Sequence, residues 1–141
     1  EYRVVLDLAM EALEYDDIVL INAPFTREIR NLSYINTLRG ELKKKGAELV
    51  VIWVDTKPEV CHQRMIDRAS DRDMWKLNHW DEYILGVNFE APANLALPDQ
   101  PDSLLIFHNS SDAEFDASMK EIVSRLEAAV ADHAPPARTQ Y

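Results

Sequence analysis

The chain has 141 residues, of which 47% are apolar and 28% are charged. This length and composition fit one folded domain, and they exclude both a disordered tail and a two-domain enzyme. The net charge is −10 and no apolar run has the roughly 18 residues that span a membrane, so neither nucleic acid nor a membrane is an expected partner.

Three short apolar runs predict strands that are buried on both faces. They are residues 18–23, 49–54 and 104–107. The runs are nearly continuous rather than alternating, and helical segments separate them, which is typical of a parallel sheet covered by helices. Apolar residues at helical spacing begin almost at Glu1, so we expect further residues to precede this sequence. The predicted fold class is α/β, with a three-layer doubly wound parallel sheet.

Two helices are predicted around the second strand. The first covers residues 31–45 and ends before Gly46, a residue that readily adopts the left-handed backbone of a helix stop. After the strand, Thr56 and Glu59 have the spacing of a capping box and predict a helix that ends near residue 69. Both helices lie where a parallel sheet requires crossovers.

The second half of the chain predicts two more helices and a long loop. A helix is expected over residues 71–85, and residues 88–102 carry three prolines and predict an extended loop. A second capping box predicts that the last helix begins at Ser111. We expect one domain over residues 1–134, and residues 135–141 to form a flexible tail.

Ligands of parallel α/β sheets bind outside the carboxyl ends of the strands. This rule selects the loop after the first strand, Asp55 after the second, and the segment containing Asn109 after the third. The first of these loops holds Arg27 and Arg30, which we expect to orient a phosphate or carboxylate of a substrate. Surface ion pairs with carboxylates such as Glu28 are an equal alternative.

Arg64, Arg68 and Arg72 are spaced four residues apart, which predicts that they share one helix face. Three guanidinium groups on one stripe suit a polyphosphate, where they would stabilise charge during phosphoryl transfer. Aspartates interleave with these arginines, so an ion-pair ladder on a solvated face is an alternative and, by spacing alone, the stronger one. Those aspartates are Asp67, Asp71 and Asp73.

The single cysteine excludes an internal disulfide and fits a reducing cytoplasm. Cys61 has apolar neighbours and is expected in the core rather than as a reactive thiolate. The histidines show no ligand spacing, so no metal site is predicted from protein residues. Trp53 is expected in the core of the sheet, and Trp75 and Trp80 are expected either to pack or to stack on a ligand ring.

The order of these elements resembles the later two-thirds of P-loop kinases, and especially the small phosphotransferases grouped with zeta-toxin-like, gluconate-kinase-like and polynucleotide-kinase-like domains. The resemblance covers about residues 1–131 and rests on order and spacing. It implies ATP and Mg²⁺ as cofactors, a helical lid over about residues 57–86, and lid arginines at Arg64, Arg68 and, less directly, Arg72 that contact ATP phosphates. It also implies that Asn109 lies near the adenine.

Two departures from this family accompany the resemblance. Asn22 stands where the family often has an acidic residue that helps to hold magnesium. The glycine-rich phosphate loop is absent, since the only three glycines are Gly40, Gly46 and Gly86. The family places the strand before that loop centrally in the sheet, between the strands that match residues 18–23 and 49–54. Its absence is expected to leave two apolar strand edges unpaired.

The first functional hypothesis is an ATP-dependent phosphotransferase that acts on a small hydroxyl-bearing substrate and binds nucleotide chiefly through an upstream segment. In it Arg64, Arg68 and Arg72 stabilise phosphate charge, while Arg27, Arg30 and Asp55 lie on the substrate side. The alternative is a degenerate kinase-like domain that serves as a non-catalytic binding or interaction module. A flavodoxin-like or Rossmann-like regulator is a third possibility, disfavoured by the arginine-bearing helical pair.

Overall fold

The computed structural model describes residues 2–133. They form a mixed α/β fold that is mostly helical. The expected tail at 135–141 lies outside the described residues. The elements in chain order are α1 (Tyr2–Ala12), α2 (Leu32–Lys44), β1 (Val51–Asp55), α3 (Pro58–Arg68), α4 (Met74–Asn78), α5 (Trp80–Leu85), β2 (Leu104–His108) and α6 (Asp112–His133). Short 3₁₀ helices lie at Glu28–Arg30, Asp71–Asp73 and Ala93–Leu95.

The sheet of the described residues consists of β1 and β2, which run parallel in a register that places Val51 beside Leu104 and Asp55 beside His108. Two of the three predicted strands and their parallel pairing are therefore confirmed. The helical segments between them form the crossover that a parallel pair requires. Helix α6 packs against β2 on one face of this sheet.

The prediction of a strand at residues 18–23 was wrong. These residues belong to no helix or strand, and they form no hydrogen bond with another backbone group in residues 2–133. Leu20 within the segment is 75% exposed. An apolar run becomes a strand only where a second extended backbone offers hydrogen-bond partners. The three-layer doubly wound sheet is consequently not confirmed.

Most of the buried apolar residues form two separate clusters. One joins α1 and α2 through Leu6, Met10, Leu38 and Leu42, and the other joins β2 and α6 through Leu105, Phe107 and Ile122. The chain entering β1 contributes to both, because Leu49 packs on the first cluster while Val50 and Ile52 pack on the second. This division follows the two-residue period of an extended chain, which sends alternate side chains to opposite faces.

Both ends of α2 and the start of α6 lie close to where the sequence predicts them. Asn31 caps α2 by accepting the Tyr34 N–H at 3.2 Å, and Gly46 follows the helix with φ +70°. Ser111 Oγ accepts the Glu114 N–H at 3.2 Å, which confirms the predicted cap of α6. These short-range bonds satisfy N–H groups that the first turn of a helix leaves without partners.

The predicted capping box at Thr56 was wrong. Helix α3 is capped by Lys57, whose side chain makes no capping hydrogen bond, and Pro58 occupies the first turn. Proline is favoured there because its missing N–H would have no partner inside the helix. The helix ends at Arg68, and Ala69 adopts the left-handed conformation with φ 48°.

The helix predicted over residues 71–85 is divided. It begins as the 3₁₀ helix, continues as α4, and restarts as α5 after His79, whose backbone leaves the helical region at φ −127° and ψ 40°. The region proposed as a lid is therefore helical, as expected, but it consists of short segments. Arg72 lies beyond the end of α3, so the expectation that it shares one helix face with Arg64 and Arg68 was wrong.

The proline-containing loop at residues 88–102 is folded against the rest of the chain. Leu95 within it is fully buried, and its carbonyl accepts a hydrogen bond from the Arg39 guanidinium at 2.8 Å. Ser103 Oγ accepts the Leu97 N–H at 2.8 Å. The sequence predicted an extended loop and missed this buried anchor, because prolines indicate where helices stop but not what a loop packs against.

Candidate functional site

The carboxyl ends of β1 and β2 bring the second and third predicted loops together. His108 Nδ1 lies 3.4 Å from Asp55 Oδ2, and both side chains are half-exposed. The Asn109 N–H donates to the Asp55 carbonyl at 2.8 Å, which extends the pairing one residue beyond the strands. Asp55 and Asn109, which sequence reasoning selected separately, therefore lie side by side at one edge of the sheet.

Ser110 connects the starts of α3 and α6 at the same edge. Its hydroxyl oxygen accepts the Lys57 N–H at 2.9 Å, and its own N–H donates to Glu114 Oε2 at 2.8 Å. His108 is also anchored, since its N–H donates to the Ser118 hydroxyl at 2.9 Å. Ser110 was expected here only as a neighbour of Asn109, without a role of its own. The two adjacent serines before α6 were the available signal, because each can bond a backbone group at a helix start.

The two arginines of the first loop behave differently. The Arg30 guanidinium donates to the Glu90 carbonyl at 2.6 Å, and its central carbon lies 5.4 Å from the centre of the Trp53 ring. Arg30 is thus held against β1 by a hydrogen bond and a cation–π contact. Arg27 is exposed and has no side-chain partner among residues 2–133, so it is the freer of the two for a ligand.

The three arginines of the predicted lid also separate into two kinds. Arg68 Nε donates to Asp73 Oδ2 at 2.9 Å, and a second nitrogen of the same guanidinium donates to the same oxygen. Asp73 is 1% exposed and also lies 3.9 Å from Lys76 Nζ. This is the ion pair that the interleaved aspartates predicted, although it is anchored in the interior rather than solvated.

Arg64 and Arg72 are exposed and form no ion pair within the described part of the chain. Arg64 is on α3, which two residues separate from the end of β1, and Arg72 lies in the 3₁₀ helix between α3 and α4. A solvated guanidinium without a carboxylate partner keeps all of its donors available for phosphate oxygens.

Aromatic rings form two stacks in the helical region. His62 of α3 stacks on Trp80 of α5 with ring centres 4.1 Å apart and planes 8° apart. Trp75 stacks on His79 at 4.9 Å and 18°. Packing was the stronger expectation for both tryptophans, and it describes Trp80, which links two helices. It describes Trp75 poorly, because that residue is 55% exposed.

The surroundings of Cys61 do not favour a nucleophilic thiol. Burial raises the pKa of its thiol, and this effect outweighs the opposite influence of the Arg64 charge. The Sγ atom lies 3.9 Å from the Thr56 carbonyl. A raised pKa reduces the thiolate fraction that nucleophilic attack requires, which agrees with the expected packing role. Trp53, expected in the sheet core, is partly buried, and its buried indole N–H has no hydrogen-bond partner among residues 2–133.

The described residues do not offer a metal centre. No group of three or more His, Cys, Asp or Glu side chains in residues 2–133 is placed to hold an ion. Magnesium therefore has no fitting ligand set here, whereas the free guanidinium groups do fit phosphate. Over the same residues, no helix combines the length and apolar character that crossing a membrane requires.

Two cavities lie away from the strand ends. One, of about 510 Å³, lies between α1 and α2 and is lined by Tyr2, Tyr34 and Glu41 among others. The second, of about 470 Å³, lies between α1 and residues 19–23. None of the predicted site residues lines either cavity.

Comparison of the chain with protein-family models, with curated proteins and with solved structures finds no match.

Proposed function

We propose that this chain forms the lid and strand-end side of an ATP-dependent phosphotransferase that acts on a small hydroxyl-bearing substrate. The observation that carries the proposal is the pair of free guanidinium groups, Arg64 and Arg72, on the helical region that directly follows β1. In parallel α/β folds the ligand side of the sheet is the carboxyl end of the strands. Exposed guanidinium groups at that end suit a phosphate-bearing ligand, because each can donate charge-assisted hydrogen bonds to phosphate oxygens.

Each residue of the site has its own role in the proposed reaction. Arg64 and Arg72 offset the negative charge that phosphoryl oxygens carry as the bond to the leaving group breaks. Arg27 binds an anionic or hydroxyl group of the substrate, while Arg30 holds the loop on β1. Asp55 orients His108, and Asn109 lies beside them on the side where the family resemblance puts the adenine.

Arg68 has a positioning part rather than a catalytic one. Its guanidinium already donates two hydrogen bonds to the buried Asp73 carboxylate, and releasing them would leave a buried charge without its main partner. Holding Asp73 fixes the turn between α3 and α4, and that turn carries Arg72. The cradle for the terminal phosphates and the magnesium shell belong, in this proposal, to residues outside this sequence.

The second candidate is a non-catalytic binding module with a kinase-like sheet. The specific observation in its favour is that Arg68, a residue that the resemblance assigns to ATP, is engaged by Asp73. Asn22 in place of an acidic residue points the same way. Binding of ATP without any phosphoryl transfer would select this candidate.

The test is calorimetric titration of Mg·ATP into the full-length gene product and two arginine variants. Charge-assisted hydrogen bonds contribute about 1.5–3 kcal/mol each, so Arg64→Ala is expected to weaken ATP binding by about tenfold to a hundredfold. Arg125→Ala is the matched control, because Arg125 is also exposed but lies on α6. Its ion pairs join it to Glu121 on α6 and to Asp102 in the loop before β2. Absence of ATP binding, or equal affinities for the two variants, would refute the proposal.

A further inference from the structure

The stack of Trp75 and His79 is exposed on the helical region after β1. The two rings lie 4.9 Å apart at 18°, and His79 Nδ1 lies 2.9 Å from the Trp75 carbonyl, which fixes the imidazole in place. Trp75 is 55% exposed. An indole that is held rigid by a second ring and open to solvent is a ready platform for a further planar ring.

Internal packing does not account for this exposed stack. The neighbouring stack of His62 and Trp80, extended by Tyr83 at 5.6 Å, already joins α3 to α5, and its members are partly buried. Trp75 belongs to neither of the two buried apolar clusters. The large apolar surface that it leaves in water is therefore available to a ligand.

A free cation lies next to the platform. Arg72 precedes Trp75 by three residues in a continuous helical stretch, and that spacing brings side chains to the same side. Arg72 is exposed and forms no ion pair among residues 2–133. The carboxylate of Asp73 does not compete for it, because Asp73 is engaged by Arg68 and Lys76. Asp71 is the exposed acidic neighbour of Arg72.

We propose that Trp75, His79 and Arg72 form a binding site for a nucleoside phosphate, whose base stacks on the open face of Trp75 while its phosphate binds Arg72. The combination of a stacking surface and a guanidinium group recognises the two chemical parts of such a ligand. The net charge of −10 favours a mononucleotide over a nucleic acid strand. The site stands on its own contacts and does not require the proposed phosphotransferase activity.

The test is calorimetric titration of the full-length protein with UMP, uridine and inorganic phosphate, because a pyrimidine ligand can be told apart from ATP. We expect saturable UMP binding that Trp75→Ala weakens at least tenfold and Trp75→Phe weakens less, since phenylalanine keeps a ring. Arg72→Ala is expected to weaken UMP but not uridine. Leu85→Ala is the control, because Leu85 is 88% exposed on the same helical region. Circular dichroism checks that each variant is folded.

Absence of UMP binding, or equal UMP affinity in the Trp75→Ala and Leu85→Ala proteins, would overturn the proposal. The UMP titration is then repeated in the presence of a saturating non-hydrolysable ATP analogue, which shows whether UMP and ATP bind at the same site. If UMP still binds, the site at Trp75 takes a second nucleotide beside ATP. If the analogue competes with UMP, the base that stacks on Trp75 is the adenine of ATP. Loss of ATP binding in Arg64→Ala tests the phosphotransferase proposal separately, because Arg64 is not part of the proposed site at Trp75.

Discussion

Replacing Arg68 by alanine tests whether this arginine is a structural residue. The Asp73 carboxylate is 1% exposed and receives two hydrogen bonds from Arg68, while Lys76 Nζ is 3.9 Å away. Removing one partner of a buried pair costs about 3–5 kcal/mol, because the other charge stays buried without compensation. The Arg68 side chain is 48% exposed and Lys76 remains, so solvent and the second cation offset part of the loss.

We expect Arg68→Ala to lower the free energy of unfolding by about 2 kcal/mol. For a domain of roughly this size, that loss corresponds to a fall in Tm of about 4–8 °C. Arg72→Ala is the matched control, because Arg72 lies four residues along the chain and forms no ion pair within residues 2–133. It is expected to change the free energy of unfolding by less than about 0.5 kcal/mol.

The assay is urea denaturation followed by circular dichroism, with a double-mutant cycle that combines Arg68→Ala and Asp73→Asn. Because the two residues are in contact, the double variant is expected to lose less than the sum of the single variants, by about 1 kcal/mol. Equal stabilities for Arg68→Ala and Arg72→Ala, or additive losses in the cycle, would refute the reasoning and return Arg68 to the list of free phosphate ligands.

Further predictions follow from three single residues. Leu95→Ala is expected to cost about 2–5 kcal/mol of unfolding free energy, because Leu95 is fully buried; an effect no larger than that of Leu85→Ala would contradict this. Ser111→Ala removes the cap of α6 and is expected to cost about 1 kcal/mol in thermal denaturation. Burial raises the Cys61 pKa, so alkylation by iodoacetamide at neutral pH is expected to be slower in the folded protein than in urea. The same shift makes stability fall as pH rises through the thiol range, because the folded state holds the proton more tightly.

The sequence predicted the elements whose signals are local. Helix α2 has its cap at Asn31 and its stop at Gly46 within a few residues of its apolar stripe. Strands β1 and β2 are short apolar runs whose pairing brings Asp55 beside His108. The meeting of the second and third loops followed from this pairing, since the carboxyl ends of parallel strands share one edge. These features depend on neighbours along the chain or on one rule of topology.

The lid arginines were harder to place because their geometry depends on backbone breaks. A spacing of four describes one face only if the helix continues, and the left-handed turn at Ala69 ends α3 directly after Arg68. The same turn brings Asp73 back toward Arg68, which converts a candidate phosphate ligand into an internal ion pair. Alanine carries no sequence signal for such a turn, since glycine is the usual residue there.

The strand wrongly predicted at residues 18–23 shows that an apolar sequence pattern does not by itself produce a paired strand. The run has the apolar, β-branched character of a buried strand, yet a ladder also needs a partner backbone, and residues 2–133 offer none to it. Strand β1 pairs with β2 on one edge only, and Val54 beside the other edge is 56% exposed. A two-stranded sheet alone is only marginally stable. The packing of α6 on β2 therefore supports the strand ends that carry Asp55 and His108.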